Sequence, residues 1–314
     1  MPACWMSVPA KMNSWCEGMR GVVLQSRVAT ATTAVVGGRS RSSVTEAGGR
    51  PLYHRRPMAC CIRLPWAPGD TDGGDGLVMV MPVSGLTMGM ALRGRVAHLL
   101  HCGTIWVHGH SVEVPTTEDA PRVPFGDYGI RKAEIERYLL EEARSNALPA
   151  TILHPGHLVG EGWNPINPQG NFEPSVFSTI MRGETLTLPN FGMETVHHVH
   201  ADDVAQAFVQ AIVHRDAAAG ESFHVVSRAA LTLRGFAEEM FASFHRPANL
   251  EYLPYESWSK TVSEKNARTT WDHIAHSPNC SIEKARNLIG YAPQYSSIEA
   301  VQQSVTSLRR MGVL

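Results

Sequence analysis

The chain has 314 residues, 43% of them hydrophobic and 18% charged, with a formal net charge of −1, so it can bury a sizeable core in one or two domains. Near neutrality, without a basic stripe or aromatic platforms among basic residues, excludes a nucleic-acid surface. No complete secretory signal is present, and the default expectation is a cytoplasmic protein in a reducing compartment.

In chain order, residues 1–63 are rich in Arg, Ser, Thr and Ala and hold only Glu17 and Glu46 as acids. That is the composition of a mitochondrial presequence, although Pro, Gly and Trp interrupt any amphipathic helix. Residues 64–76 read as a linker and lack the ligand spacing ending in Glu that a calcium loop requires. Residues 77–92 are apolar but broken by Pro82, Ser84 and Gly85. They are too short for a membrane span and read as a buried strand or helix. Cys4, Cys16, Cys60, Cys61, Cys102 and Cys280 show no zinc-ligand pairing, and Cys102 reads as a small buried hydrophobe.

Residues 96–100 followed by Thr104-Ile105-Trp106-Val107 read as a strand ending in a hydroxyl residue, then a loop through His108-Gly109-His110. In residues 131–144, Ile135, Tyr138, Leu139 and Ala143 recur at helical spacing among Glu and Arg. If the first turn includes Tyr128, it shares a face with Lys132. A neighbouring ammonium lowers a tyrosine pKa from about 10 toward working pH, and such a phenol exchanges a proton with an alcohol or carbonyl oxygen while hydride moves. A hydroxyl at Thr104 can bind that oxygen. The plain alternative is structural: Tyr128 packs the helix start, Lys132 lies over apolar neighbours and Thr104 satisfies a local carbonyl.

Residues 151–153 read as a strand that Pro155-Gly156 terminates, and residues 164–172 as a polar loop before a helix at 174–181, together part of a substrate lid. Residues 195–200 alternate as a strand, so His197, His198 and His200 point to opposite faces and no metal site is expected. Residues 222–226 form a strand, Thr232 caps a helix over 233–244, and a final amphipathic helix runs over 297–311.

Four stretches carry a family resemblance: His101-Cys102-Gly103-Thr104-Ile105-Trp106-Val107-His108-Gly109; Tyr128-Gly129-Ile130-Arg131-Lys132; Ile152-Leu153-His154-Pro155-Gly156-His157-Leu158-Val159-Gly160; and His200-Ala201-Asp202-Asp203-Val204-Ala205. In order and spacing the chain resembles the extended short-chain dehydrogenase/reductase superfamily, the NAD-dependent epimerase/dehydratase group, over residues 96–310. The resemblance implies an α/β fold: a Rossmann-like parallel sheet, its N-terminal part incomplete or divergent, with a small C-terminal substrate domain. Residues 1–76 would be the divergent segment and 77–314 the partial NAD(P)-binding domain, with substrate-domain segments at about 160–196 and 228–295. It implies hydride transfer at an alcohol or ketone carbon with NAD or NADP. Tyr128 would be the acid/base, Lys132 would lower its pKa and hold the nicotinamide ribose, and Thr104, five residues before Gly109, would bind the reacting oxygen. Pro155, Gly156 and His157 match the segment that passes the nicotinamide, while His108, Trp163, Asn171 and His198 would line a small-molecule substrate. The helix bearing Tyr128 would serve a homodimer.

The chain departs from that family at the front. The nearest stretch to a glycine-rich phosphate turn is Val35-Val36-Gly37-Gly38, and no acidic residue follows at the ribose-binding distance. The pattern starts abruptly in mid-domain, which favours a front replaced in a misread or truncated gene over a targeting segment or a divergent domain. A non-catalytic binding module for a small molecule or protein is the alternative function. Members acting on nucleotide sugars commonly carry Arg-Asp where this chain has Val196-His197. Valine cannot compensate phosphate charge, so the expected substrate is not a nucleotide sugar.

Overall fold

The computed structural model describes residues 60–63, 77–81, 92–94 and 96–314, the first two stretches by backbone and pairing alone. These residues fall in one unit, Ala59–Leu314. The candidate turn at Val35-Val36-Gly37-Gly38, most of the presequence-like stretch, the linker at 64–76 and residues 82–91 of the apolar stretch lie outside them.

The strands are β1 (Cys60–Arg63), β2 (Leu77–Met81), β3 (His98–Cys102), β4 (Ala150–Pro155), β5 (His157–Val159), β6 (Leu186–Pro189), β7 (Thr195–Val196), β8 (His198–His200), β9 (Ser222–Val225), β10 (Leu231–Thr232) and β11 (Leu250–Leu253). The helices are α1 (Gly126–Arg144), α2 (Ser175–Arg182), α3 (Ala201–Val213), α4 (Arg215–Ala218), α5 (Leu233–Ser243), α6 (Tyr255–Trp258), α7 (Glu264–His276), α8 (Glu283–Ile289) and α9 (Ser297–Arg310).

Strands β2, β3, β4 and β9 run parallel in that spatial order, and β1 pairs antiparallel on the β2 edge. Leu99, Leu100, Ile152 and Leu153 are all fully buried, the pattern of a parallel sheet covered on both faces. A parallel step from β3 to β4 needs a crossover, which α1 supplies. Ile135 and Leu139 on α1 pack with Leu99, Ala150 and Ile152 in one apolar cluster. A second cluster joins Phe177 and Ile180 of α2, Phe236, Met240 and Phe241 of α5, and Val301 and Val305 of α9. The start of α9 is fixed by a reciprocal cap between Ser296 and Glu299. The fold is α/β, with a mostly parallel Rossmann-like sheet followed by a helical C-terminal region.

Two expectations about elements are corrected. Ile105–His108 is a 3-10 turn and not a strand, because the Thr104 hydroxyl accepts from the Trp106 amide and caps it. The strand expected over 195–200 is two: β7 pairs antiparallel with β10 and β8 pairs parallel with β5. No helix among the described residues is long and apolar enough to cross a membrane.

Candidate active site

The C-terminal end of β3 meets α1 through named hydrogen bonds. Lys132 Nζ donates to the Cys102 carbonyl at 2.6 Å, and the Thr104 amide donates to His154 Nδ1 at 3.0 Å. Between them, Gly103 leaves no room for a side chain, since a Cβ there would lie 2.3 Å from His154 Nδ1. Because α1 opens at Gly126, Tyr128 and Lys132 stand one turn apart on the same helix. Lys132 Nζ sits 5.9 Å from the Tyr128 ring centroid, and a side-chain hydrogen bond links Tyr128 to Thr104. The structure thus brings Thr104, Tyr128 and Lys132 together.

The electrostatics correct one expectation. Burial lowers the Lys132 pKa, with the neighbouring Cys102 opposing, but the phenol does not follow it down. Tyr128 is pushed up to about 12, first by desolvation at the phenol and then by Cys102, against the Thr104 hydrogen bond. This holds although 42% of the residue's surface stays exposed. The Lys132 ammonium is directed to the Cys102 carbonyl, and burial dominates at the phenol.

A second wall forms around Trp106. Its ring meets Tyr128 edge-on at 6.1 Å, His157 at 6.1 Å and His273 at 5.2 Å, and stacks on His276 at 4.1 Å. Phe125 stacks on the other side of His276 at 3.9 Å. Burial holds His273 and His276 at about 4 and His157 well below its ordinary value, so these imidazoles are neutral at physiological pH.

Other expected residues lie apart from the triad's hydrogen bonds. Pro155 ends β4, and Gly156 is required because a Cβ there would lie 2.3 Å from the His197 carbonyl. His108 is buried and bonded to His224 Nε2 at 2.8 Å and to the Pro121 carbonyl. Asn171 is fully buried and ties the 164–172 loop to Thr270. Trp163 is exposed, and His198 packs edge-on against Phe236. His197 bonds Ser227 and Cys280, while His200 caps α3, so the three nearby histidines have separate partners. Among the described residues no group of His, Cys, Asp or Glu is arranged to hold a metal. Sequence reasoning missed Trp106, Glu136, His154, His273 and His276. The signal for Glu136 was its spacing, four residues beyond Lys132.

Residues 85–225 match the family model described as NAD dependent epimerase/dehydratase family. Over that stretch the chain is similar to the epimerase/dehydratase family. Among its relatives, a UDP-glucose 4-epimerase from Azospirillum brasilense is 27% identical over 141 residues, 40% of each chain. One from Mycolicibacterium smegmatis is 25% identical over 216 residues, 68% of this chain and 62% of the other. The fold is also that of UDP-glucuronic acid 4-epimerase from Bacillus cereus, solved with UDP-glucuronic acid and NAD. Its TM-score is 0.52 at 17% identity, over 69% of this chain and 62% of that one. The chain spans less than two thirds of the length of these epimerase/dehydratase relatives.

These relatives overturn the expectation that a nucleotide sugar is disfavoured. The physical reason is in β7: Val196 is fully buried in the apolar cluster of the C-terminal region. A side chain turned into the core reports on packing and carries no information about phosphate.

Proposed function

We propose that this chain carries the catalytic strand ends and substrate region, with segments near 160–196 and 228–295, of an NAD-dependent nucleotide-sugar epimerase acting at C4 of a UDP-hexose. The observation that carries the reading is the meeting of Thr104, Tyr128 and Lys132 at the C-terminal end of β3, inside the stretch that matches the family. NAD is proposed over NADP because the Bacillus cereus neighbour was solved with NAD.

The described residues fit the nicotinamide-ribose end of that cofactor. A buried ammonium, Lys132, stands at the carboxyl ends of parallel strands, where open α/β sheets bind nucleotides. Pro155 ends the adjacent strand, and Gly156 and His157 follow it. When bound, NAD supplies the acceptor and donor of hydride. The chain's residues handle the proton and the oxygen. Tyr128, partly open to solvent, gives a proton to the C4 oxygen of a ketone and takes it from the alcohol. With its pKa near 12 the phenol is ready as the donor, and acting as base needs added positive charge beside it. Thr104 hydrogen-bonds the same oxygen as charge develops.

The test is to incubate the full chain with UDP-glucose and NAD and follow the C4 epimer by NMR, with calorimetry of NAD on the same sample. Conversion to the epimer is the expected result. A folded protein that binds NAD and the sugar nucleotide but yields no epimer overturns the reading.

A further inference from the structure

Glu136 and His154 have no part in the chemistry above, yet both are almost fully buried, at 2% and 0% exposure, directly behind Thr104. The Thr104 amide can only donate, so His154 Nδ1 at 3.0 Å presents a lone pair. The proton of a neutral imidazole then sits on Nε2, which faces Glu136 Oε1 at 3.0 Å. Arg122 grips that carboxylate through Nε at 3.2 Å and Nη2 at 2.7 Å, a fork suited to a carboxylate. Arg122 Nη1 is tied to the Glu118 and Ala120 carbonyls at 2.6 and 2.8 Å. Burial alone would raise the Glu136 pKa, but His154 and Arg122 outweigh it and hold the carboxyl well below its usual range. It therefore remains an ionised acceptor.

Tyr128, Lys132 and Glu136 recur every four residues on α1, so one helix face reaches both ends of Gly103: the Cys102 carbonyl through Lys132 directly, and the Thr104 amide through His154. We infer that Glu136 and His154 form a positioning relay that sets Thr104 at the reacting oxygen, in register with the helix that carries Tyr128 and Lys132. This inference rests on the epimerase reading for its catalytic meaning. Its geometry is testable without that reading. Glu136 fixes which imidazole nitrogen is bare, and the bare nitrogen fixes the peptide that ends in the Thr104 hydroxyl. Displacing a reacting group by about 1 Å costs on the order of 10²-fold in rate, so the relay acts on turnover more than on binding.

The experiment compares the full-length protein with His154→Leu, His154→Gln and Glu136→Gln. Glutamine at 154 offers an oxygen to the Thr104 amide, whereas leucine offers none. His154→Leu is expected to lose on the order of 10²-fold in kcat with KM for UDP-glucose little changed, and His154→Gln to recover most of it. Imidazole nitrogen NMR should show a bare Nδ1 and a protonated Nε2 on His154, with loss of that preference in Glu136→Gln. The Thr104 amide should be protected from hydrogen exchange in the parent and released in His154→Leu. If the parent has no epimerase activity, the function proposed above fails and the NMR and exchange results alone decide the relay. A protonated Nδ1, or a Thr104 amide that exchanges alike in parent and His154→Leu, overturns it. So does a variant that lowers Tm while leaving kcat unchanged, the mark of a merely structural pair. If His154→Leu does not fold, Glu136→Gln carries the comparison: a lowered kcat together with the lost imidazole preference is expected, and an unchanged kcat overturns the relay.

Discussion

On the α1 side of the site, Lys132, Glu136, His154 and Thr104 are joined by hydrogen bonds between specific atoms. On the α7 side, His273 and His276 reach Trp106 through ring contacts, and Nε2 of His157 and of His276 is buried with no hydrogen-bond partner among the described residues. Directional bonds fix atoms, as proton transfer and oxyanion binding require. Stacked rings fix shape and, by desolvation, neutrality. The first wall should therefore be sensitive to the loss of a single atom, and the second to pH.

The largest effect should come from the first wall. Tyr128→Phe removes the phenol oxygen proposed to carry the proton and leaves the ring against Trp106. Turnover is expected to fall by about 10²- to 10⁴-fold, with NAD affinity by calorimetry close to the parent's. Equal rates in variant and parent would remove Tyr128 from the chemistry.

The second wall makes its own prediction. An unfolded imidazole titrates near 6.5, whereas His273 and His276 titrate at about 4 in the folded chain, chiefly because they are buried. Between those values the unfolded chain binds more protons, so stability falls as pH drops from about 6.5 to about 4 and is flat above. Each group contributes about 1.4 kcal/mol per pH unit across that window. Urea midpoints at pH 7.5 and pH 5 check this, and equal midpoints would mean that the rings are hydrated.

Gly103→Ala returns to the bonded wall. Its Cβ would meet His154 Nδ1 at 2.3 Å inside a closed network, so the imidazole must retreat from the Thr104 amide. A loss of about 1–3 kcal/mol is expected, read as a lower urea midpoint. A midpoint within error of the parent's would show that this region yields.

The two walls also differ in how much of each was legible in the sequence. The pairing of Tyr128 with Lys132 follows from helical spacing, and β3, β4 and the cap at Thr232 follow from patterns within a few residues. The turn at Ile105–His108 was hidden because Ile, Trp and Val are strand formers, while the choice was made by one hydroxyl capping Trp106. The break between β7 and β8 depends on the His157 amide donating to the His197 carbonyl at 2.8 Å, a contact 40 residues away in the chain. His273 and His276 reach Trp106 only because α7 folds back over it, and no local period records that. Val196 misled for the same reason, since alternation tells that faces differ but not which of them meets the ligand.

The smallest effect expected is the sharpest test of the second wall. In His276→Phe the ring between Trp106 and Phe125 is retained. The variant loses the Nδ1 bond to the Asp272 carbonyl, an acceptor one helical turn back. It also removes Nε2, which has no partner, so a lost hydrogen bond is set against relief from an unsatisfied polar atom. The stability change at pH 7.5 should stay below about 1 kcal/mol, while the loss between pH 6.5 and pH 4 becomes shallower by one imidazole's share. A large loss at pH 7.5 would mean that His276 is held by a directional bond, and that the α7 wall follows the same rule as α1. An unchanged acid slope would mean that His276 titrates alike in the folded and unfolded chain, and that stacking does not keep it neutral.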